Sequence, residues 1–109
     1  MRVSLLPLEN KVVVIDCVTL WLSNIFSHYQ YDVQSSLDAL KAEMTALSKM
    51  DARLIIISNE IGMGIHGDTP ISRKFTDLQG WANQFIARLA DQVILMVSGI
   101  PVIIKADKK

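Results

Sequence analysis

Apolar runs and amphipathic segments alternate along the chain, and the two periods predict different elements. VVVI follows the polar Lys11 and closes on Asp16, a β-branched run of strand length over Lys11–Ile15. Val18 to Tyr31 places Leu20, Trp21, Leu22, Ile25 and Phe26 at near-helical spacing before the polar Ser27, His28 and Gln30, which predicts a short helix followed by a loop. From Asp32 to Met50 the apolar Val33, Leu37, Leu40, Met44 and Leu47 recur every third or fourth residue, with Asp38, Lys41, Glu43 and Lys49 between them. That is an amphipathic helix. RLIII over Arg53–Ile57 is a second strand, ending at Ser58, Asn59 and Glu60. Asp68 or Thr69 then caps a long helix, with Pro70 in the first turn where its missing N–H has no helical partner to lose. Its expected buried stripe is Ile71, Phe75, Leu78, Ala82, Phe85 and Leu89. Gln92–Val97 reads as a third strand, Ser98–Pro101 as a tight turn and Val102–Lys105 as a short final strand.

Strands separated by helices imply crossover connections, hence an α/β fold with a mostly parallel sheet and helices on both faces. Ligands of such sheets gather at the C-terminal strand ends, and two of those ends carry carboxylates, Asp16 and Glu60. Two acids at neighbouring strand ends repel unless a cation or a proton lies between them.

The 109 residues form one domain, 1–109, and half of them are hydrophobic, which excludes a disordered chain. Eleven basic residues balance eleven acidic ones, so no long-range attraction to nucleic acid is expected and a phosphate must be held locally. Cys17 is the sole cysteine, which argues against a disulfide framework or a zinc cluster and for a reducing, cytoplasmic setting. No stretch approaches the roughly 18 apolar residues of a membrane span, and the N-terminus lacks a signal-peptide core.

VVVID has the form of a Walker-B strand, whose carboxylate orients Mg²⁺ on a nucleoside triphosphate. An aspartate in that place is more often a helix cap or turn residue than a metal partner. Gly62, Gly64 and Gly67 spell G-x-G-x-x-G, but the helix signals begin only at Asp68, too late to present free N–H groups to a pyrophosphate. Gly62 and Gly64 instead allow a sharp turn or close backbone approach to a ligand. No lysine follows the glycines at phosphate-loop spacing, so the chain has no phosphate cradle of its own. Arg73 and Asp77, four apart, read as a surface ion pair. Gly80 inside a helix costs roughly 1 kcal/mol relative to Ala and marks close packing. Trp21 and Trp81 read as core residues, His28 and His66 as solvated loop residues, and Asn83 as a polar helix position.

DCVTLWLSN (16–24), SNEIGMGI (58–65), RKFTDLQGWANQ (73–84) and SGIPVIIK (98–105) resemble, in order and spacing, the C-terminal part of the bifunctional adenosylcobinamide kinase/adenosylcobinamide-phosphate guanylyltransferase family. The resemblance implies a P-loop-type three-layer sandwich, here lacking its N-terminal phosphate-loop strand and the histidine that accepts GMP. It implies phosphorylation of adenosylcobinamide by ATP or GTP, then GMP transfer from GTP to adenosylcobinamide phosphate, in cobalamin synthesis. Asp16 then corresponds to the acidic residue at the nucleotide and Mg²⁺ site, with Glu60 as the catalytic candidate and Asn59 at the same rim. Arg73, Asp77 and Asn83 correspond to a helix motif near substrate or at a subunit contact. The loop after GMGI departs from the family pattern at His66, Gly67 and Asp68. The expected assembly is a homotrimer, or a chain completed by an N-terminal segment; the alternative is a non-catalytic trimerising or regulatory remnant.

Overall fold

Two strands of the expected sheet pair as the repeated apolar runs require. In the computed structural model, which describes residues 3–59 and 69–106, β1 (Val12–Asp16) lies parallel to β2 (Arg53–Ile57), with Val12 opposite Arg53 and Asp16 opposite Ile57. Side chains alternate between the faces of a strand, and among the described residues only one face is covered. Ile15, Leu54 and Ile56 pack on the helices. Val12, Val14, Ile55 and Ile57 point away, Val12 being 67% and Val14 54% exposed.

The crossover from β1 to β2 consists of α1 (Val18–His28) and α2 (Val33–Ser48). Left-handed backbone at Gln30 and Tyr31 ends α1 and turns the chain. Asp32 caps α2, its carboxylate accepting from the Ser35 N–H at 2.9 Å. Glu43, buried on α2, accepts from the Ser4 N–H at 3.1 Å and the Ser4 hydroxyl at 2.7 Å, fixing the short 3₁₀ turn Val3–Leu5 to the helix. The third helix, α3 (Pro70–Leu89), opens on a reciprocal cap: the Ser72 N–H donates to Thr69 Oγ1 and the Thr69 N–H to Ser72 Oγ, both at 3.1 Å. Of the two expected caps, Thr69 is the one used; Asp68 lies outside the described residues.

Every fully buried apolar side chain among the described residues belongs to these three helices, with Val18, Leu22, Leu40, Leu47, Leu78 and Ala82 at zero exposure. Burying one such aliphatic chain contributes about 1.5–3 kcal/mol, so the helical layer rather than the sheet holds the fold. The buried line of α3 is narrower than its sequence stripe: Leu78, Gln79, Ala82 and Ile86 are buried, Phe75 and Phe85 partly so. Ile71 and Leu89, at the two ends of the helix, overhang the core and are exposed. Trp81 is 48% exposed and is not a core residue, whereas Trp21 is.

The last two strands correct the topology. β3 (Val93–Val97) and β4 (Ile100–Lys105) form an antiparallel hairpin around a two-residue turn, Ser98 and Gly99, both with positive φ. The turn is two residues shorter than expected and the final strand begins at Ile100 rather than Val102. Among the described residues there are two separate two-stranded sheets, one parallel and one antiparallel. Among the described residues, helices cover one face of β1–β2 and leave the other bare. Periodicity identifies an apolar strand but not which strand lies beside it, nor whether a second layer is present. The hairpin is tied to α3 through the Lys105 ammonium, which donates to the carbonyls of Ala87 at 3.0 Å and Arg88 at 3.3 Å.

Gly80 does not mark close packing within this chain: a Cβ placed there meets nothing within 4 Å among the described residues. Gly80→Ala is therefore expected to stabilise the chain by about 0.5–1 kcal/mol, read as a higher urea midpoint at unchanged slope; a lower midpoint would show the space to be filled. A second prediction concerns the cap of α2. The Ser35 hydrogen bonds hold the Asp32 carboxyl below the ordinary aspartate range. A depressed carboxyl pKa stabilises the fold above the unfolded value, about 3.9, and that contribution is lost as pH falls through the folded value. Asp32→Asn, which keeps a capping side chain, is expected to leave stability at pH 7 nearly unchanged and to flatten its decline below about pH 4; an unaltered acid limb in denaturant titrations would contradict this.

Candidate functional site at the strand ends

Parallel pairing brings the C-terminal ends of β1 and β2 to one rim. Asp16, the last residue of β1, is exposed there, opposite Ile57. The next residue, Cys17, is the N-cap of α1. The Leu20 backbone N–H, one of the unpaired donors of the helix start, lowers the Cys17 thiol from its ordinary value, with Thr19 acting the same way and partial burial and the Asp16 charge opposing.

Across the rim, the chain leaving β2 is held by side-chain amides. Asn59 Nδ2 donates to Thr19 Oγ1 at 3.2 Å and lies 3.8 Å from Cys17 Sγ, linking the end of β2 to the start of α1. Asn83 on α3 donates to the Asn59 carbonyl at 3.0 Å and accepts from the Ser58 hydroxyl at 2.6 Å. Gln79, one turn earlier, donates to Ser58 Oγ at 3.1 Å and to Asn83 Oδ1 at 3.0 Å. Gln79 is fully buried, and its side-chain carbonyl oxygen has no partner among the described residues.

This arrangement brings together Asp16, Asn59 and Asn83 of the sequence candidates and gives Asn83 a definite part, that of a clamp on the backbone and hydroxyl at the end of β2. Arg73 and Asp77 lie exposed one turn apart near the start of α3, with the Arg73 N–H donating to the Thr69 carbonyl at 3.0 Å. Glu60, Gly62 and Gly64, with His66, lie outside the described residues, so the pairing of Asp16 with Glu60 is not described. His28, expected in a loop, closes α1 and stacks edge-on against Tyr29.

Sequence reasoning missed Gln79, Ser58 and Thr19. The available signal was a glutamine inside the apolar stripe of α3, four residues before Asn83: a polar group on a buried face needs a partner. A groove of about 250 Å³ between α2 and α3 is lined by Gln34, Lys41, Trp81 and Arg88 among others, and shares no residue with this rim. The groove and the polar strand ends are thus distinct places on the described residues.

No group of three or more His, Cys, Asp or Glu able to hold a metal occurs among the described residues. A single exposed carboxylate does fit Mg²⁺, which is held by one or two carboxylates together with substrate phosphates and water. No helix among the described residues is long and apolar enough to cross a membrane.

The family model described as cobinamide kinase / cobinamide phosphate guanyltransferase matches residues 3–104. The bifunctional adenosylcobalamin biosynthesis protein CobU of Escherichia coli K12 is 36% identical over 107 residues, covering 88% of this chain and 59% of that protein. CobP of Pseudomonas aeruginosa, with the same description, is 33% identical over 98 residues, covering 89% and 55%. CobU of Salmonella typhimurium is 32% identical over 107 residues. The chain spans less than two thirds of the length of these relatives. With a match across nearly all of its residues, the chain belongs to the cobinamide kinase / cobinamide phosphate guanyltransferase family.

Proposed function

We propose that this chain supplies the strand-end half of a nucleotide site in cobalamin biosynthesis, serving phosphorylation of adenosylcobinamide by ATP or GTP and GMP transfer from GTP to adenosylcobinamide phosphate. The observation that carries the reading is the exposed Asp16 at the end of a parallel strand, beside Asn59 on the neighbouring strand's exit. In this reading Asp16 orients Mg²⁺, which neutralises the charge of the triphosphate. Asn83 and Gln79 hold the Ser58 hydroxyl, and Asn83 the Asn59 carbonyl, in place, and Glu60, next in the chain, is the second carboxylate and the catalytic candidate. Arg73 and Asp77 face substrate or a neighbouring subunit from the start of α3.

The 109 residues contain no phosphate-loop motif, so the phosphate grip and the GMP-accepting histidine come from outside this chain. The complete enzyme is then a homotrimer or a chain joined to a further segment, with a P-loop-type sandwich as its fold. Isolated, the chain is expected to be inactive. The same lack of a phosphate loop favours a second reading, a non-catalytic trimerising or regulatory remnant. Calorimetry with Mg²⁺ and GTP, on the chain with and without a phosphate-loop segment, separates the two.

In the completed complex, Asp16→Asn is expected to lower transfer of label from α-³²P GTP to adenosylcobinamide phosphate by on the order of 100-fold, with secondary structure unchanged by circular dichroism. Full transfer by the variant would remove Asp16 from the site. Cys17 offers a footprint of the same place: alkylation by iodoacetamide is expected to slow when Mg²⁺ and GTP are added to the completed complex. An unchanged rate would set the nucleotide elsewhere.

A further inference from the structure

The groove between α2 and α3 has a chemistry that the strand ends do not share. It holds about 250 Å³ and is lined from one face of each helix, by Gln34, Leu37 and Lys41 on α2 and by Trp81, Phe85 and Arg88 on α3. Each set covers two helical turns, so the groove is about 10 Å long. Leu37 is buried and Phe85 partly so, an apolar floor, while the Trp81 indole stands 48% exposed along the same groove.

Its charges are of one sign. The Lys41 ammonium lies 5.5 Å from the centre of the Phe85 ring, and no residue lining the groove is acidic. Lys41 is half-buried, yet among the described residues neither it nor Arg88 has a carboxylate partner. Asp38, the acid nearest to Lys41 along α2, accepts instead from Gln34 Nε2 at 2.8 Å and does not line the groove. A helix C-terminus carries partial negative charge and repels anions. Here the Lys105 ammonium on the carbonyls of Ala87 and Arg88 offsets that charge at the end of α3. A chain of balanced net charge thus gathers unpaired cations beside an exposed indole.

We infer that the α2–α3 groove is a binding site for a small planar aromatic anion, its ring against Trp81 and Phe85 and its acidic group between Lys41 and Arg88. The ring gains stacking and apolar contact, and the acid receives charge-assisted hydrogen bonds from both cations. An apolar cleft with a few convergent polar groups is the usual form of a small-molecule site. Length and volume suit one ring or two fused rings bearing a single carboxylate; a nucleoside triphosphate is longer than the groove. The inference stands apart from the nucleotide reading, because the groove and the rim share no residue.

The probe is 2-naphthoate, titrated into the full chain, with 2-naphthamide as its uncharged counterpart and cyclohexanecarboxylate as an anion without an aromatic ring. In proton–nitrogen correlation spectra the Trp81 indole N–H, assigned by its loss in Trp81→Phe, is expected to shift with a dissociation constant on the order of 0.1–1 mM. The signal of the buried Trp21 stays in place. Both control compounds are expected to bind about tenfold more weakly or worse. Lys41→Gln and Arg88→Gln each weaken naphthoate binding by about threefold to tenfold at an unchanged thermal midpoint, whereas Arg88→Lys, which keeps the charge, binds nearly as the parent does. The inference is overturned if the amide binds as tightly as the acid, if the two glutamine variants bind as the parent does, or if naphthoate shifts the Val12 and Ile55 amides of the bare strand face and not Trp81. Displacement of naphthoate by excess Mg²⁺–GTP would overturn it too, as would a Trp81 signal that follows protein rather than ligand concentration, the mark of a second copy of the chain in the groove.

Discussion

Parallel pairing of β1 with β2 is the constraint from which the rest of the molecule follows. Two parallel strands cannot be joined by a tight turn, so the chain must travel back across the sheet, and here it does so through two helices. That return journey builds the core, because α1 and α2 bury their apolar faces against each other and α3 rather than against a long sheet. The same direction of travel places both strand exits at one rim. Asp16 and Asn59 are neighbours because the strands run the same way; an antiparallel pair would have separated them by the length of the sheet.

Covering a sheet on one side only leaves a specific imbalance. Val12, Val14, Ile55 and Ile57 form an apolar surface on the bare face, and the hairpin adds another. These are β-branched or long aliphatic chains that belong indoors, and they stand out against a packed helical layer whose second and third helices are capped at their starts. Glu43, the one buried carboxylate among the described residues, has hydrogen bonds to satisfy it. Apart from the side-chain oxygen of Gln79, the helical half thus meets the usual demands of a folded protein, whereas the strands meet only half of theirs.

Much of this was legible in the residues. The three-four spacing of Leu37, Leu40, Met44 and Leu47 placed α2 within two residues of its ends, and the Thr69–Pro70 sequence marked the start of α3, because cap chemistry is local. Strand partners were not legible: VVVID and VILMV look alike, yet one pairs in parallel and the other in a hairpin, a choice made by Ser98 and Gly99. Trp81 was misassigned since hydrophobicity says that a side chain favours burial, not that a neighbour is present to bury it. At the rim, Asp16 and Asn59 could be placed by their position at strand ends. The part played by Gln79 could not, because it depends on a hydroxyl twenty-one residues away in sequence.

The Lys105 contact gives α3 an unusual mechanical position. A twenty-residue helix is about 30 Å of nearly rigid rod. Its opening turn is fastened by Thr69, its middle grips Ser58 and Asn59, and its final carbonyls hold the ammonium at the end of β4. The amide grip and the Lys105 contact thus lie little more than one turn apart on the same rod, so a displacement of α3 at the rim is passed to the hairpin through Lys105.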